Sequence, residues 1–157
     1  MHIEIEPKGL ERVQGMLRRL QAGFSDLTPV MREIAEELLA NWQLKWREEE
    51  DPYGEPWKPL KPSTLKRRRK GKGSGPVAQI LRDTGIMQDS FTPKADKESA
   101  RIGTYEDGFY ARFHQFGTKY IPIRRLLPDE YLPSEDEEAV FAILKRHLHN
   151  LMSGGKV

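Results

Sequence analysis

The spacing of apolar residues along this chain switches between two periods, and each switch predicts an element. His2 to Glu6 alternates, with Ile3 and Ile5 on one side, the mark of a short strand that Pro7 ends. Gly9 to Ala22 then sets Leu10, Val13, Leu17 and Leu20 at helical spacing, with Arg12, Arg18, Arg19 and Gln21 outside. Gly15 weakens this helix and Gly23 is its natural stop. Thr28 as cap and Pro29 at the first position open a second helix. Val30, Ile34, Leu38, Trp42 and Trp46 recur along it, with Ala35 and Leu39 beside them, so it carries much of the core. Its acidic end, Glu48 to Asp51, opposes the helix dipole and is expected to fray.

Pro52, Gly54, Pro56, Pro59 and Pro62 then remove any regular period, while Tyr53, Trp57 and Leu60 are candidates to pin this stretch to the body. The run from Lys66 to Gly75 reads as a mobile loop or a short helix running into one. A brief apolar run, Val77 to Leu81, precedes a Thr84-Gly85 turn that leads into strand. Phe91 to Ala95, Ser99 to Thr104 and Phe109 to Phe116 predict three successive strands, with Pro93 placing the first at an edge. Lys94 to Glu98 and Tyr105 to Gly108 supply the turns. Ile121 to Leu127 is a further extended segment between prolines. A last helix opens with Ser134 and Glu137 as a capping box, and buries Val140, Phe141, Leu144, Leu148 and Leu151. The fold class is α+β: an antiparallel β-sheet meander packed against N-terminal and C-terminal helices, with a long Pro/Lys/Arg-rich loop. Residues 1–157 form one domain, with a mobile loop at 51–76 and a loose tail at 153–157.

At 157 residues the chain can bury roughly 70% of its open surface, enough for a core. With 37% hydrophobic and 32% charged residues it is polar but foldable. The absence of Cys rules out disulfides, thiolate ligands and a Cys nucleophile, and fits a reducing compartment. No apolar run nears the ~20 residues that cross a bilayer, and the acidic N-terminus is not a signal peptide. A soluble protein made in a cytoplasm is expected. The net charge of +2 hides one strongly basic stretch, because Trp57 to Pro76 holds no acidic residue. Lys66, Arg67, Arg68, Arg69, Lys70 and Lys72 can face passing nucleic acid, dock on an acidic protein surface, or simply be solvated. No base-reading module accompanies them.

Catalytic patterns are missing. No Ser-His-Asp set, HExxH or phosphate loop is present. His147 and His149 point about 200° apart on a helix, so they cannot share a metal. His114, alone between aromatics, reads as a packed or backbone-bonded histidine, and Asp83, Asp89 and Asp107 as turn residues. The chain is therefore expected not to be an enzyme, with no cofactor and no metal. Next to Gly117, the segment Tyr120, Ile121, Ile123, Arg124, Arg125, Leu126 and Leu127 is either a docking arm onto a neighbour or an ordinary covered edge.

Trp57-Lys58-Pro59-Leu60 with Thr64, then Ile80-Leu81 with Thr84-Gly85, Ser90-Phe91 and Ile102-Gly103 follow one another in order. Tyr110-Ala111, Phe113-His114-Gln115-Phe116-Gly117 and Pro122 with Arg124 to Leu127 complete the set. In this ordered set the chain resembles the phage virion morphogenesis family, the tail-completion proteins of Mu-like and P2-like tailed phages. The resemblance implies a structural protein of the virion tail or neck, assembled in the host cytoplasm, with a fold like that of tail-terminator and neck proteins. It implies a ring, six copies favoured, that completes the tail and enables head-tail joining, with tail tube or head-connector proteins as partners. It marks Trp57, Thr84, Gly85, Tyr110, His114, Gln115, Phe116 and Gly117 as structural motif. The alternative is a non-specific nucleic-acid-binding accessory protein using the basic loop 66–72.

Overall fold

The computed structural model describes residues 10–72, 75–104 and 110–154. The predicted strand at His2 to Glu6 and the turn at Tyr105 to Gly108 lie outside these residues. Helix α1 (Leu10–Ser25) joins helix α2 (Thr28–Glu48) through a two-residue link. A short helix α3 (Pro62–Arg69) and a single helical turn α4 (Ile86–Asp89) follow. Strands β1 (Phe91–Ala95) and β2 (Ala100–Thr104) form one antiparallel hairpin, with Phe91 opposite Thr104 and Pro93 opposite Ile102. Helix α5 (Ala111–Phe116), an extended stretch and the long helix α6 (Ser134–Ser153) complete the chain. This is a mixed helical and antiparallel fold, compatible with the α+β expectation. No described helix is long and apolar enough to cross a membrane.

The stripe on α2 does what its spacing predicts. Val30 and Ile34 pack with Ile143 of α6, and Leu38, Val140 and Leu144 close around them. Farther along, Trp42 and Trp46 enter a second cluster with Trp57, Ile80, Phe91, Ala111 and Leu126. Trp42 stacks on Phe91 at 4.1 Å, and Trp46 meets Trp57 edge-on at 5.4 Å. Such ring pairs add roughly 0.5–1.5 kcal/mol beyond the area that they bury. Asn41 donates to Asp136 (2.8 Å), and Glu33 pairs with Arg146, so α2 and α6 run antiparallel.

Several expectations are corrected. Among the described residues of the predicted third strand, α5 stands in its place, because Ala111, His114 and Gln115 face inward at helical spacing. Two of these three are polar, so an apolar pattern does not reveal them. The Thr84-Gly85 turn leads first into α4 and only then into β1. Gly23 does not stop α1, which runs on to Ser25; it admits Leu151 of α6, which a Cβ there would approach to 2.5 Å. Thr28 does not cap α2 with its side chain; its N–H donates to Asp26 at 3.0 Å, and hydrogen bonds from the Thr28 hydroxyl and then its N–H hold the Asp26 carboxyl below the usual range. Ser134 and Glu137 form no capping box; the Glu137 N–H goes to the Pro133 carbonyl. On α6, Phe141 and Leu148 are exposed and Ile143 is buried instead, since the inward face is turned toward α2.

The acidic end of α2 is folded rather than frayed. Glu49 sits in the left-handed region (φ 61°), and the Glu50 N–H reaches back to the Lys45 carbonyl, a hydrogen-bonded helix ending. Glu49 Oε1 accepts from Ile80 N–H (2.8 Å), and its carbonyl accepts from Trp57 N–H (2.8 Å). Asp51, buried, accepts from Tyr53 and Glu55 N–H groups and shapes the following turn. As expected, Tyr53, Trp57 and Leu60 pin the proline stretch: Trp57 and Leu60 join the core and Tyr53 bonds near Asp129 and Tyr131.

Replacing Trp46 by Ala should lower unfolding free energy by about 3–5 kcal/mol, the usual range for a buried large aromatic. Denaturant titration measures it; a loss below about 1 kcal/mol would show that the aromatic cluster is not the core.

Candidate assembly interface

The segment from Arg124 to Leu127 is extended but pairs with no strand, so side chains must satisfy its backbone. Trp42 Nε1 donates to the Leu126 carbonyl and Trp57 Nε1 to the Arg125 carbonyl, each at 2.9 Å. Gln115 Oε1 accepts from the N–H groups of Leu126 (2.8 Å) and Leu127 (3.0 Å), and its Nε2 donates to the Leu127 carbonyl (2.8 Å). The Arg124 N–H goes to the His114 carbonyl (2.8 Å). Leu126 then plugs the gap among the tryptophans. Trp57 and Gln115 of the motif are thus clamps on this segment.

Gly117 makes the return possible. It ends α5 with φ 72°, and a Cβ there would come within 2.7 Å of the Ile123 side chain. The chain turns through Thr118, whose N–H bonds the Ile121 carbonyl, and comes back as Arg124.

Between this return and α3 lies a groove of about 480 Å³. Lys61, Thr64 and Arg68 form its α3 side. Leu81, Thr84, Gly85, Ile86 and Met87 form a second wall, and Tyr110, His114, Tyr120, Ile121 and Arg124 the third. The motif residues Thr84, Gly85, Tyr110 and His114 therefore meet here, although they are far apart in sequence. Trp57, Gln115, Phe116 and Gly117 do not line it.

Two of its cations are nearly sealed from solvent. Arg68 is 8% exposed and Arg124 6%. Arg68 donates to the carbonyls of Pro76 and Gln79, and Arg124 to those of Lys58 and Pro59. Among the described residues no carboxylate stands within ion-pair distance of either guanidinium. Burial lowers the pKa of Arg124, opposed by the charge of Glu49. Burial, and next the charge of Arg124, hold the His114 imidazole below its usual 6.5, so it is neutral at pH 7. His114 Nδ1 and Arg68 Nε are buried without a hydrogen-bond partner.

Of the arm residues, Arg124 and Leu126 are buried in the chain's own body, and Ile121, Arg125 and Leu127 are half-covered. Tyr120 and Ile123 remain exposed, Tyr120 at 74%. Of the basic run, Lys66, Arg67, Arg69, Lys70 and Lys72 are exposed, with Arg67 paired to Asp83. Arg68 is the exception, because it is turned inward to hold the 76–79 loop. Lys61, Ile86 and Met87 were not legible as groove residues: Ile86 and Met87 followed a turn read as leading straight to strand.

The family model described as phage virion morphogenesis family matches residues 9–149. Mu-like prophage FluMu G protein 1 of Haemophilus influenzae is 29% identical over 151 residues, 96% of this chain and 98% of that protein. No solved structure matches the chain.

Replacing Gln115 by Leu leaves two N–H groups unmet and should lower stability by about 2–5 kcal/mol, while Glu, which keeps the acceptors, should cost less. Denaturant unfolding of both variants checks the order. Protonation of His114 is disfavoured in the fold, so the unfolded chain binds a proton that the folded chain refuses. Its contribution is complete above about pH 6.5 and declines as pH drops below that value. In His114→Gln this part of the pH slope of thermal stability should vanish.

Proposed function

From the membership of this chain in the phage virion morphogenesis family, we propose that it is the ring-forming subunit that completes a phage tail at the end meeting the head. The coarser role, a structural protein of the phage virion, comes with the family. The observation that carries the finer reading is a set of large apolar side chains that stand exposed among the described residues. Phe116 and Tyr120 are each 74% exposed, and Tyr110, Ile86 and Ile123 are more than half exposed. Aromatics of this kind are enriched in protein interfaces and costly to leave in water. A second, unlike surface supports it: α1 leaves Val13, Leu17 and Phe24 in solvent. Two different sticky faces on one body suit head-to-tail contacts, and such contacts form a ring when the rotation between copies closes. The fold would then be used as tail-terminator and neck proteins use theirs, with a tail tube or head connector as neighbour.

The exposed Lys66, Arg67, Arg69, Lys70 and Lys72 favour a second reading, non-specific contact with DNA. Inside a ring this contact would serve the passing genome; outside one it would define an accessory nucleic-acid-binding protein.

Light scattering of the purified chain should give a multiple of its 18.2 kDa mass. Particles made without it should show heads and tails apart. A strict monomer that is missing from purified particles would sink the ring reading. Changing Arg67, Arg69 and Lys70 to Ala should weaken salt-sensitive DNA binding and leave the assembled mass unaltered; a DNA affinity that the change leaves untouched would sink the nucleic-acid reading.

A further inference from the structure

The groove is positively charged and apolar at once. Lys61, Arg68 and Arg124 line it against one carboxylate, Asp83, which Arg67 already engages. His114 adds no charge while neutral. Burying a guanidinium without an ion-pair partner is unfavourable, and here two share one cavity, with the charge of Glu49 partly offsetting that of Arg124. An anionic occupant would relieve both. The remaining lining, with Leu81, Ile86, Met87 and Ile121, asks that the same occupant carry apolar side chains. A bare phosphate backbone does not meet that second demand.

One segment of this chain has that chemistry. Residues 2–6, outside the described residues, read His-Ile-Glu-Ile-Glu, so Ile3 and Ile5 alternate with Glu4 and Glu6. In an extended peptide such alternation sends the two isoleucines to one side and the two carboxylates to the other. We propose that residues 2–6 of a second copy of this chain occupy the groove, isoleucines against Leu81 and Ile86, glutamates toward Lys61 and the arginines. This deepens the ring reading and rests on it, since the segment comes from a neighbour.

The placement of α1 argues for a neighbour. Arg19 and Gly23 of α1 pack on Leu151, at the end of α6 that lies beside the start of α2. The groove lies beyond the other end of α2, about 30 Å away for a helix of 21 residues. Arg19 and Gly23 therefore sit far from the groove of their own chain. Nine residues precede Leu10 and extend up to roughly 30 Å, enough to bridge to an adjoining copy.

The test uses the full-length chain. The double variant Glu4→Lys, Glu6→Lys should lose assembled mass in light scattering and leave its groove open. A fluorescent peptide of residues 1–9 should then bind that variant saturably. Adding Lys61→Glu or Ile86→Asp, both at exposed positions and checked for folding by circular dichroism, should weaken the peptide at least tenfold. An assembled mass unmoved by the double variant overturns the proposal, as does peptide binding indifferent to both groove changes. So does a DNA duplex that displaces the peptide. If the unaltered chain is a monomer at every concentration, the ring reading fails by itself, and the peptide titration still decides what the groove accepts.

Discussion

The return of the chain from Arg124 to Leu127 is the constraint on which the rest depends. Its backbone runs through the interior with no neighbouring strand, so its polar groups would be left unmet. Two indole N–H groups and one carboxamide meet them instead. Those bonds place Leu126 among Trp42, Trp46 and Trp57, and this packing joins α2, the proline stretch and α5 into one body. The same bonds fix Arg124, whose guanidinium ties down Lys58 and Pro59 and forms part of the groove. Without the clamp the groove would have neither that wall nor its charge.

A chain that spends its aromatics on both the core and the rim divides them by position. Tryptophans go inside, where each indole finds a partner for its ring face or its N–H. Tyr110, Phe116 and Tyr120 stay outside, the two tyrosines lining the groove. Electrostatics follow the same division. The other basic residues of α3 are exposed, whereas Arg68 and Arg124 are committed to loop carbonyls and carry their charge into a low-dielectric setting.

Much of the helical framework was legible in the residues. The α2 stripe from Val30 to Trp46, the edge character imposed by Pro93 and the pinning role of Trp57 all stand as the patterns implied. These features are local: each records which face of one element is turned from water. The motif at 110–117 was legible as important but not as helix, because its inward residues, His114 and Gln115, are polar and leave no apolar period. Gly23 was read as a stop because its missing side chain permits one; only the position of Leu151 reveals close packing as its use.

From residue spacing and type alone followed the long helices α1, α2 and α6, the hairpin strands, the lack of cysteine chemistry and the family likeness. The tertiary structure alone decided that Arg68 turns inward while its neighbours face water. It alone brought Lys61, Ile86, His114 and Arg124 to one groove. Hydrophobic periodicity reports burial against an unspecified partner, whereas a groove is made by segments distant in sequence. Their meeting depends on how Gly117 and the Gln115 clamp return the chain, and no single segment encodes that path.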